Sequence, residues 1–452
     1  MEPFQNTEYF DGIIRINHLL FILNGVLILH FIFSWWRTYK KTGWKIDFWH
    51  FTVGLQFVVP VFFMYPFIGS PLNIGAMGNA YYRVEPFIGQ AYLITILGYV
   101  SLIIGTYYFE TFHESSLIFS FIKPLTGFSE VIYCVIRNSF LIYSLSLVTM
   151  LLLIFLLFIQ IRLGYLGNPR AFVLANSFYR PYFNFIISLY PLIPQALTLR
   201  YLVFKKKADL VLFFIIIFFG VFTGSRGTIL YPLVSCLMFY VYHRRGVVNL
   251  FSLSASGLFF AFNAMLIGYW RDTMDNFELF NFFQNLGYRF FYGNAFSDTR
   301  DFAWILAYWD NEFVMGKTYL AGLLSFIPSY FSDFRSEWAI GKYVNNFVGF
   351  DTSTHAGLRP GSFGEAYFNF GGAGVILLGF LAGYVLKYAD KVLRFSVECK
   401  NDILLGYSLM FPWFFFSNFY ISAGFWSFYV YVILFTILYV FLLILPQKNK
   451  GG

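Results

Sequence analysis

Long runs of apolar residues without charge are the feature that most restricts how this chain can fold. Hydrophobic residues make up 58% of the sequence and charged residues only 12%. A soluble domain carries about twice that charged fraction. Uncharged runs of this length can cross the roughly 30 Å hydrocarbon core of a bilayer as helices. The composition therefore predicts an all-α, polytopic integral membrane protein.

Eleven apolar segments are long enough to cross, or nearly cross, a membrane. The sixth and seventh are short and are joined by the connector Gly224–Gly227, which predicts a helical hairpin. There is no internal repeat and no low-complexity linker, so residues 1–452 are predicted to form a single integral membrane domain. The segments are 17–36, 48–68, 88–109, 140–162, 183–204, 209–223, 228–243, 249–269, 367–387, 403–421 and 425–446.

The distribution of lysine and arginine predicts the orientation of these segments. Basic residues concentrate in alternate connections, and the positive-inside rule makes those connections cytoplasmic. The N-terminus is then outside and the C-terminus inside. The net charge of +8 follows from this topology and does not indicate a nucleic-acid partner. The basic connections contain Arg37, Lys40, Lys41, Lys45, Lys123, Arg137, Lys205–Lys207, Arg244, Arg245, Lys387, Lys391, Arg394, Lys400, Lys448 and Lys450.

The segment 270–366 is the longest connection and lies outside in this orientation. Long connections in compact proteins are usually functional. We expect one large external loop, in which stretches such as Ala321–Phe331 form short amphipathic helices at the membrane surface.

The end of this loop combines a titratable ring, a guanidinium and a carboxylate. His355 is a side-chain type suited to general-base chemistry near neutral pH, and Arg359 is followed by a Pro-Gly turn. Glu365 follows at the start of the ninth segment. The run suits chemistry on an anionic, lipid-borne substrate. The alternatives are an ordinary loop histidine and a glutamate that the helix dipole favours without any function.

Three further external arginines are candidate ligands for phosphate. Arg226 lies in the hairpin connector, where a guanidinium could bind phosphate oxygens in a bidentate manner. Arg271 follows Tyr269 and Trp270, and Arg289 is a similar case. The structural alternatives are a snorkelling arginine at position 226 and an aromatic-belt arginine at position 271.

No motif indicates a cofactor. No Walker motif and no glycine-rich strand–helix turn occurs, and the His, Cys and Asp residues show no metal-ligand spacing. The glycines in the ninth segment are better explained by close helix packing than by a phosphate loop. They are Gly371, Gly372, Gly374, Gly379 and Gly383.

Taken together, these motifs resemble those of bacterial oligosaccharide repeat-unit polymerases of the O-antigen or enterobacterial-common-antigen (Wzy) type. The resemblance covers the span number, the loop plan and the C-terminal part of the chain, whereas the part before residue 160 matches only in hydropathy. The motifs that carry it are Thr223-Gly-Ser-Arg-Gly, Phe326-Ile-Pro-Ser and His355-x-x-x-Arg359-Pro-Gly-x-x-Gly-Glu365-x-Tyr-x-Asn-Phe-Gly-x-x-Gly374.

The resemblance implies a metal-independent membrane glycosyltransferase of the GT-C kind that needs no cofactor. Such an enzyme moves a growing glycan from undecaprenyl pyrophosphate to a hydroxyl of the next lipid-linked unit, at the periplasmic face of the bacterial inner membrane. The implied partners are lipid-linked glycans, the bilayer, a chain-length regulator and a flippase. We expect Arg226, Arg271, Arg289 and Arg359 to bind pyrophosphate or sugar carboxylates. His355 is the first candidate for the base, with Glu365 or Asp301 in reserve.

Two other functions fit parts of the same pattern. An O-antigen ligase would share the fold and the Arg/His chemistry but would use a lipid A core acceptor. A flippase or other transporter would place charges or broken helices near the membrane midplane, whereas the charges predicted here lie at the outer edge.

Overall fold

The computed structural model of the chain describes most of its apolar segments and about three quarters of the long connection. In the described residues the backbone forms helices and turns and contains no strand. The described residues are 18–65, 80–112, 132–166, 172–173, 175–176, 178–222, 226–272, 278–284, 286, 297–327, 331–351, 357–398 and 421–444.

The helices are numbered here in chain order. In the first half of the chain they are α1 (His18–Thr42), α2 (Phe48–Val53, continued by a π-helical stretch Gly54–Phe63), α3 (Tyr81–Phe112), α4 (Ser139–Arg162), α5 (Arg180–Leu189), α6 (Leu192–Phe204) and α7 (Lys207–Phe222). They continue as α8 (Arg226–His243), α9 (Leu250–Asp272), α10 (Leu279–Gln284), α11 (Asp298–Tyr308), α12 (Lys317–Leu323), α13 (Asp333–Trp338), α14 (Ile340–Val348), α15 (Gly361–Glu398) and α16 (Phe425–Ile444).

Six helical stretches in the described part are long and apolar enough to cross a membrane. They coincide with predicted segments one, three, four, five, nine and eleven. The all-helical prediction is thus confirmed for the described residues, and their length and composition are consistent with a polytopic membrane protein. The predicted segments that begin at 48, 209, 228 and 249 are also helical but have shorter apolar stretches, and 403–421 lies outside the described residues. The six stretches are His18–Thr42, Tyr81–Phe112, Ser139–Arg162, Arg180–Phe204, Phe363–Phe395 and Ser422–Val440.

The chain divides into two compact units, each built from separate stretches of sequence. The first contains residues 1–113, 276–390 and 419–423, and the second contains 114–275, 391–418 and 424–452. The first unit therefore holds the described end of the long connection together with α1–α3 and most of α15.

Close packing of α3 against α15 forms the centre of the first unit. A Cβ on Gly379 or Gly383 would collide with the backbone carbonyls of Gly98 and Leu102 on α3. The Thr106 hydroxyl lies 3.3 Å from the Gly383 carbonyl oxygen. The glycines predicted to allow close packing do so at these two positions, as expected where backbones approach within a membrane.

Helix α11 packs on α3, so the long connection is not a loose loop at this point. Phe302, Ala303 and Ile305 of α11 are buried. At its C-terminal end, Arg83 of α3 donates from Nε to the Ala307 carbonyl at 3.0 Å, and its guanidinium lies 4.0 Å from the Tyr308 ring. An arginine is well placed there because the last carbonyls of a helix lack partners within the helix.

A buried polar cluster joins α1, α2 and α15. Asp47 caps α2 and accepts from the His50 backbone N–H and ring Nδ1, both at 2.8 Å. The other ring nitrogen of His50 lies 3.2 Å from the Ser34 hydroxyl of α1, and the Phe48 N–H donates to Asp390 of α15. Burial raises the pKa of Asp47, but the nearby His50 and then Lys387 lower it, to a net value of about 2.

In the second unit a fully buried arginine holds α6 to its neighbours. Arg200 pairs with Asp209 of α7 at 3.3 Å, and its guanidinium also donates to the Ile136 carbonyl and the Ser139 hydroxyl. Helices α4, α7 and α8 all pack against α6. A buried charge in a membrane protein needs partners of this kind because an isolated one is very costly.

The end of the long connection differs from the prediction. Helix α15 begins at Gly361, before the predicted start of the ninth segment at 367, and runs on to Glu398. Its backbone is not helical at Gly371, where φ is 62° and ψ is −154°. A conformation with positive φ favours glycine, so the sequence permits a break in the helix at this point.

Two glycines of α15 provide a test of the α3–α15 packing. We expect Gly383→Ala to destabilise the protein by about 1–3 kcal/mol, because the added methyl group would push the two backbones apart. Gly372→Ala is the matched control, since its Cβ would make only an ordinary contact with Leu97 at 3.8 Å. Thermal unfolding of both variants in the same detergent would measure this, and equal melting temperatures would contradict the packing.

Candidate functional site

Two glycines shape the turn that carries Arg359. Gly357 has a φ of 102°, and a Cβ there would come within 2.7 Å of the Gly341 backbone. Gly361 has a φ of 71° and starts α15, and its Cβ position lies 3.6 Å from the side chain of Asp298. The positive φ values explain why this turn contains glycine, and the close approach brings the start of α15 to the start of α11.

Arg359 forms an ion pair with Asp298 at the start of α11. The Arg359 Nε atom lies 3.2 Å from Asp298 Oδ1, and Nη2 donates to the Ser297 hydroxyl at 2.9 Å. The Arg359 side chain is 53% exposed and that of Asp298 is 36% exposed. The pair is thus oriented by the protein and still open to a ligand on one side.

Asp301 lies one turn further along α11 and is buried. Its Oδ2 accepts from the Ser297 hydroxyl at 2.9 Å, and its Oδ1 lies 3.1 Å from Nη2 of Arg300. Both oxygens therefore have partners. Asp301 fixes Ser297, which in turn receives the hydrogen bond from Arg359, so the structure favours a positioning role for this reserve base.

The carboxyl group of Asp298 is less readily ionised than that of an ordinary aspartate. Burial raises its pKa, Arg359 lowers it, and the like charge of Asp301 raises it again, so that the net shift is upward. An aspartate with a raised pKa is a better proton acceptor once it is ionised. Such shifts are common at functional sites.

Glu365 is buried at the second turn of α15 and joins three elements. Its Oε1 accepts from the Thr318 hydroxyl of α12 at 2.8 Å, and its Oε2 accepts from the Ser422 backbone N–H at 2.9 Å. The Asn369 side-chain amide donates to Thr318 and to the Glu365 carbonyl, each at 2.7 Å. Burial and the Glu365 carboxylate raise the pKa of the adjacent Tyr319. Hydrogen bonds from other elements, and not only its own helix dipole, thus account for the position of Glu365.

The remaining predicted site residues are less fully described. His355 and Arg289 lie outside the described residues. Arg226 is the first residue of α8 and Arg271 is near the end of α9, both in the second unit. A joint anion site of these arginines with Arg359 stays a prediction. Of the Phe326-Ile-Pro-Ser motif, the described residues include only the first two.

The partner of Arg359 was not predicted from the sequence. Asp298 is one of many acidic residues in the long connection, and Ser297 lies about 60 residues before Arg359. A local signal was present, because a serine followed by acidic residues in the first turn is typical of a helix start. Ser297 does stand at the start of α11, but its hydroxyl bonds Asp301 and Arg359 and makes no hydrogen bond that caps the helix.

Comparisons with protein-family models, with curated proteins and with solved structures found no match to this chain. In the part of the chain that the structure describes, no group of three or more His, Cys, Asp or Glu side chains could hold a metal ion.

Asp301 provides a test of the network below Arg359. We expect Asp301→Asn to lower the stability by about 3–5 kcal/mol, because it breaks a buried charge pair with Arg300. Asp333→Asn is the control, since Asp333 is also an aspartate in the first turn of a helix but is exposed. The comparison is made by thermal unfolding in detergent. A loss no larger than that of the control would show that the buried pair does not hold this end of α11.

Proposed function

We propose that this protein polymerises undecaprenyl-pyrophosphate-linked oligosaccharide repeat units at the periplasmic face of the bacterial inner membrane. The observation that carries the proposal is the Arg359–Asp298 pair, partly exposed at the start of a helix that is able to span the membrane. A guanidinium and a carboxylate at this place suit an anionic, lipid-borne substrate. The resemblance of the Arg226 connector and of the 355–374 run to repeat-unit polymerases supports the same function.

The proposed topology has eleven spans, with the N-terminus outside and the C-terminus inside. The six described stretches that can span a membrane support the membrane location. The alternation of basic connections supports the orientation. On this topology Arg359 faces the periplasm.

In the proposed reaction a hydroxyl oxygen of the incoming unit attacks the anomeric carbon of the growing glycan. The bond from that carbon to the pyrophosphate oxygen breaks, and undecaprenyl pyrophosphate leaves with the bonding electrons. Arg359 neutralises the negative charge that develops on the leaving group. Arg226, Arg271 and Arg289 are also proposed to bind pyrophosphate or sugar carboxylates of the substrates.

The hydroxyl proton passes to a base on the protein. Asp298 joins His355 as a candidate, because it lies beside Arg359 and remains partly exposed. Asp301 and Glu365 fit this role less well, since each carboxylate oxygen already accepts a hydrogen bond or faces a cation. They are better explained as groups that fix Arg359 and α15.

Gel analysis of the surface glycan in the host tests the reaction class. Loss of the gene should leave core carrying a single repeat, because units are still made and attached but not joined. Uncapped core with lipid-linked polymer would indicate a ligase. Lipid-linked units trapped inside the cell would indicate a flippase. Either of the last two results would overturn the proposal.

The role of Arg359 is tested in the same strain by complementation. We expect Arg359→Ala to remove long glycan chains and Arg359→Lys to restore them partly, because lysine keeps the charge but lacks the planar fork. Lys342→Ala is the matched control, since it removes an exposed positive charge from the same connection, where Lys342 donates to the Ser336 hydroxyl at 2.8 Å. Full-length polymer with Arg359→Ala at normal protein levels would exclude Arg359 from the site.

The pH dependence of chain growth distinguishes the two candidate bases. If Asp298 accepts the proton, activity falls as the pH drops through its raised pKa. Asp301 raises that pKa, so Asp301→Asn should move the acid limb to lower pH. The measurement is the initial rate of polymer formation by purified, folded protein from lipid-linked units over a pH series. An acid limb that is unchanged in Asp301→Asn and survives in Asp298→Asn would favour His355.

A further inference from the structure

Helix α12 and the short 3₁₀ turn after it have one buried and one exposed face. Thr318, Ala321 and Ser325 are buried. Leu320, Leu323 and Phe326 alternate with them and are 48%, 49% and 54% exposed. Three large apolar side chains therefore point away from the protein in a row. This exposed set is called the α12 ledge.

The buried face of α12 is fixed to α15 by several hydrogen bonds. Thr318 contacts Glu365 and Asn369, as described above. Just before α12, the backbone N–H groups of Val314 and Met315 donate to the Phe368 and Asn369 carbonyls at 3.0 and 3.1 Å. These contacts hold α12 in one rotation about its axis, so the ledge cannot turn inward without breaking them.

An aromatic contact places α12 beside exposed apolar residues of α15. Tyr319 of α12 stacks on Phe370 of α15, with ring centroids 6.3 Å apart. Phe370 is itself exposed, and so are Ile376 and Leu377 further along the same helix. All of these α15 residues lie within the stretch Phe363–Phe395, which is able to span a membrane. An exposed apolar patch next to the lipid-facing side of a spanning helix is expected to face lipid as well.

The polar end of α12 carries groups typical of the headgroup region. Lys317, the first residue of the helix, places its Nζ 4.1 Å from the ring of Trp338. Tryptophan and lysine are favoured at the membrane–water interface, where an apolar body and a polar tip meet both environments. Lys317 and Trp338 lie at the N-terminal end of α12, whereas Phe326 follows its C-terminal end.

We propose that the α12 ledge lies in the bilayer and contacts lipid acyl chains, with Lys317 and Trp338 at the headgroup level. The long connection is then partly embedded, and α12 anchors it at a fixed depth. Because Thr318 binds Glu365, six residues after Arg359, the anchor also holds the Arg359–Asp298 pair near the headgroups. The proposal concerns the position of α12 and does not rest on the proposed function.

Spin-label accessibility in lipid vesicles tests this depth. A nitroxide is attached to a single cysteine at position 320 (L320C) after C134A, C236A and C399A remove the natural cysteines. Collisions with oxygen report a lipid environment, and collisions with a water-soluble nickel chelate report an aqueous one. Label at position 377 (L377C) on α15 is the lipid-facing reference, and label at position 337 (E337C) on exposed α13 is the aqueous reference.

We expect the label at position 320 to favour oxygen over the nickel chelate, as at 377 and unlike at 337. Equal or greater access to the nickel chelate would overturn the proposal, because the ledge would then face water. Low access to both reagents would also overturn it, since a protein partner would then cover the ledge.

A second measurement avoids removing the cysteines. A photo-crosslinking phenylalanine analogue is placed at Leu320 or at Glu337 in the natural chain, and the vesicles are irradiated. Lipid adducts detected by mass spectrometry at position 320 but not at 337 support the proposal. Lipid adducts at neither position, or equally at both, contradict it.

Discussion

A break in a membrane helix has to be compensated by hydrogen bonds from another segment, and this requirement organises the first unit. At Gly371 the backbone of α15 leaves the helical conformation. The carbonyls of Phe368 and Asn369 accept instead from the N–H groups of Val314 and Met315. An unsatisfied carbonyl at membrane depth is costly, so this exchange fixes the segment before α12 to the spanning helix. Arg359 precedes the same helix by two residues, and its own contacts are with Ser297 and Asp298 at the start of α11.

The polar side chains around this break fall into two groups with different consequences. Asp301 and Glu365 are buried, and every carboxylate oxygen has a protein partner. Removal of one partner from such a group leaves a polar atom without compensation, so these residues act mainly on stability and position. Arg359 and Asp298 are both exposed on one side. Exposed ion pairs contribute little to stability, so their arrangement is better explained by what they can bind.

Hydropathy predicted the long apolar helices of the described residues well, because a run of apolar residues has few alternatives to a helix in lipid. It also gave the hairpin of α7 and α8, which contact each other in the second unit. The start of α15 at Gly361 was not predicted, because Gly361-Ser-Phe-Gly-Glu365 contains two glycines and a charge, which are typical of a loop. The helix forms there because α11, α12 and Ser422 supply partners, and such tertiary contacts override local propensity.

The sequence predicted two residues of the site but not the residues that they contact, because those contacts depend on tertiary packing. Arg359 and Glu365 were predicted because they lie in one short run with a histidine and a Pro-Gly turn. Their partners Asp298 and Thr318 come from positions distant along the chain. The interaction of Arg359 with Asp298 depends on α11 packing against α3 and on the glycines that turn the chain into α15. No pattern of residue spacing in the sequence predicts this contact. The helix dipole alone would have allowed Glu365 to remain exposed, and its burial follows from Thr318 and Ser422.

On the proposed function, the exposed pair would couple anion binding to proton transfer in a way that neither residue would show alone. Arg359 lowers the pKa of Asp298, and Asp301 raises it. An incoming pyrophosphate would share the Arg359 guanidinium and add negative charge near Asp298. Both changes disfavour the ionised carboxylate and raise its pKa further. On the proposed function, Asp298 would therefore become a stronger proton acceptor when the donor pyrophosphate is bound, provided that it is still ionised when the acceptor hydroxyl arrives.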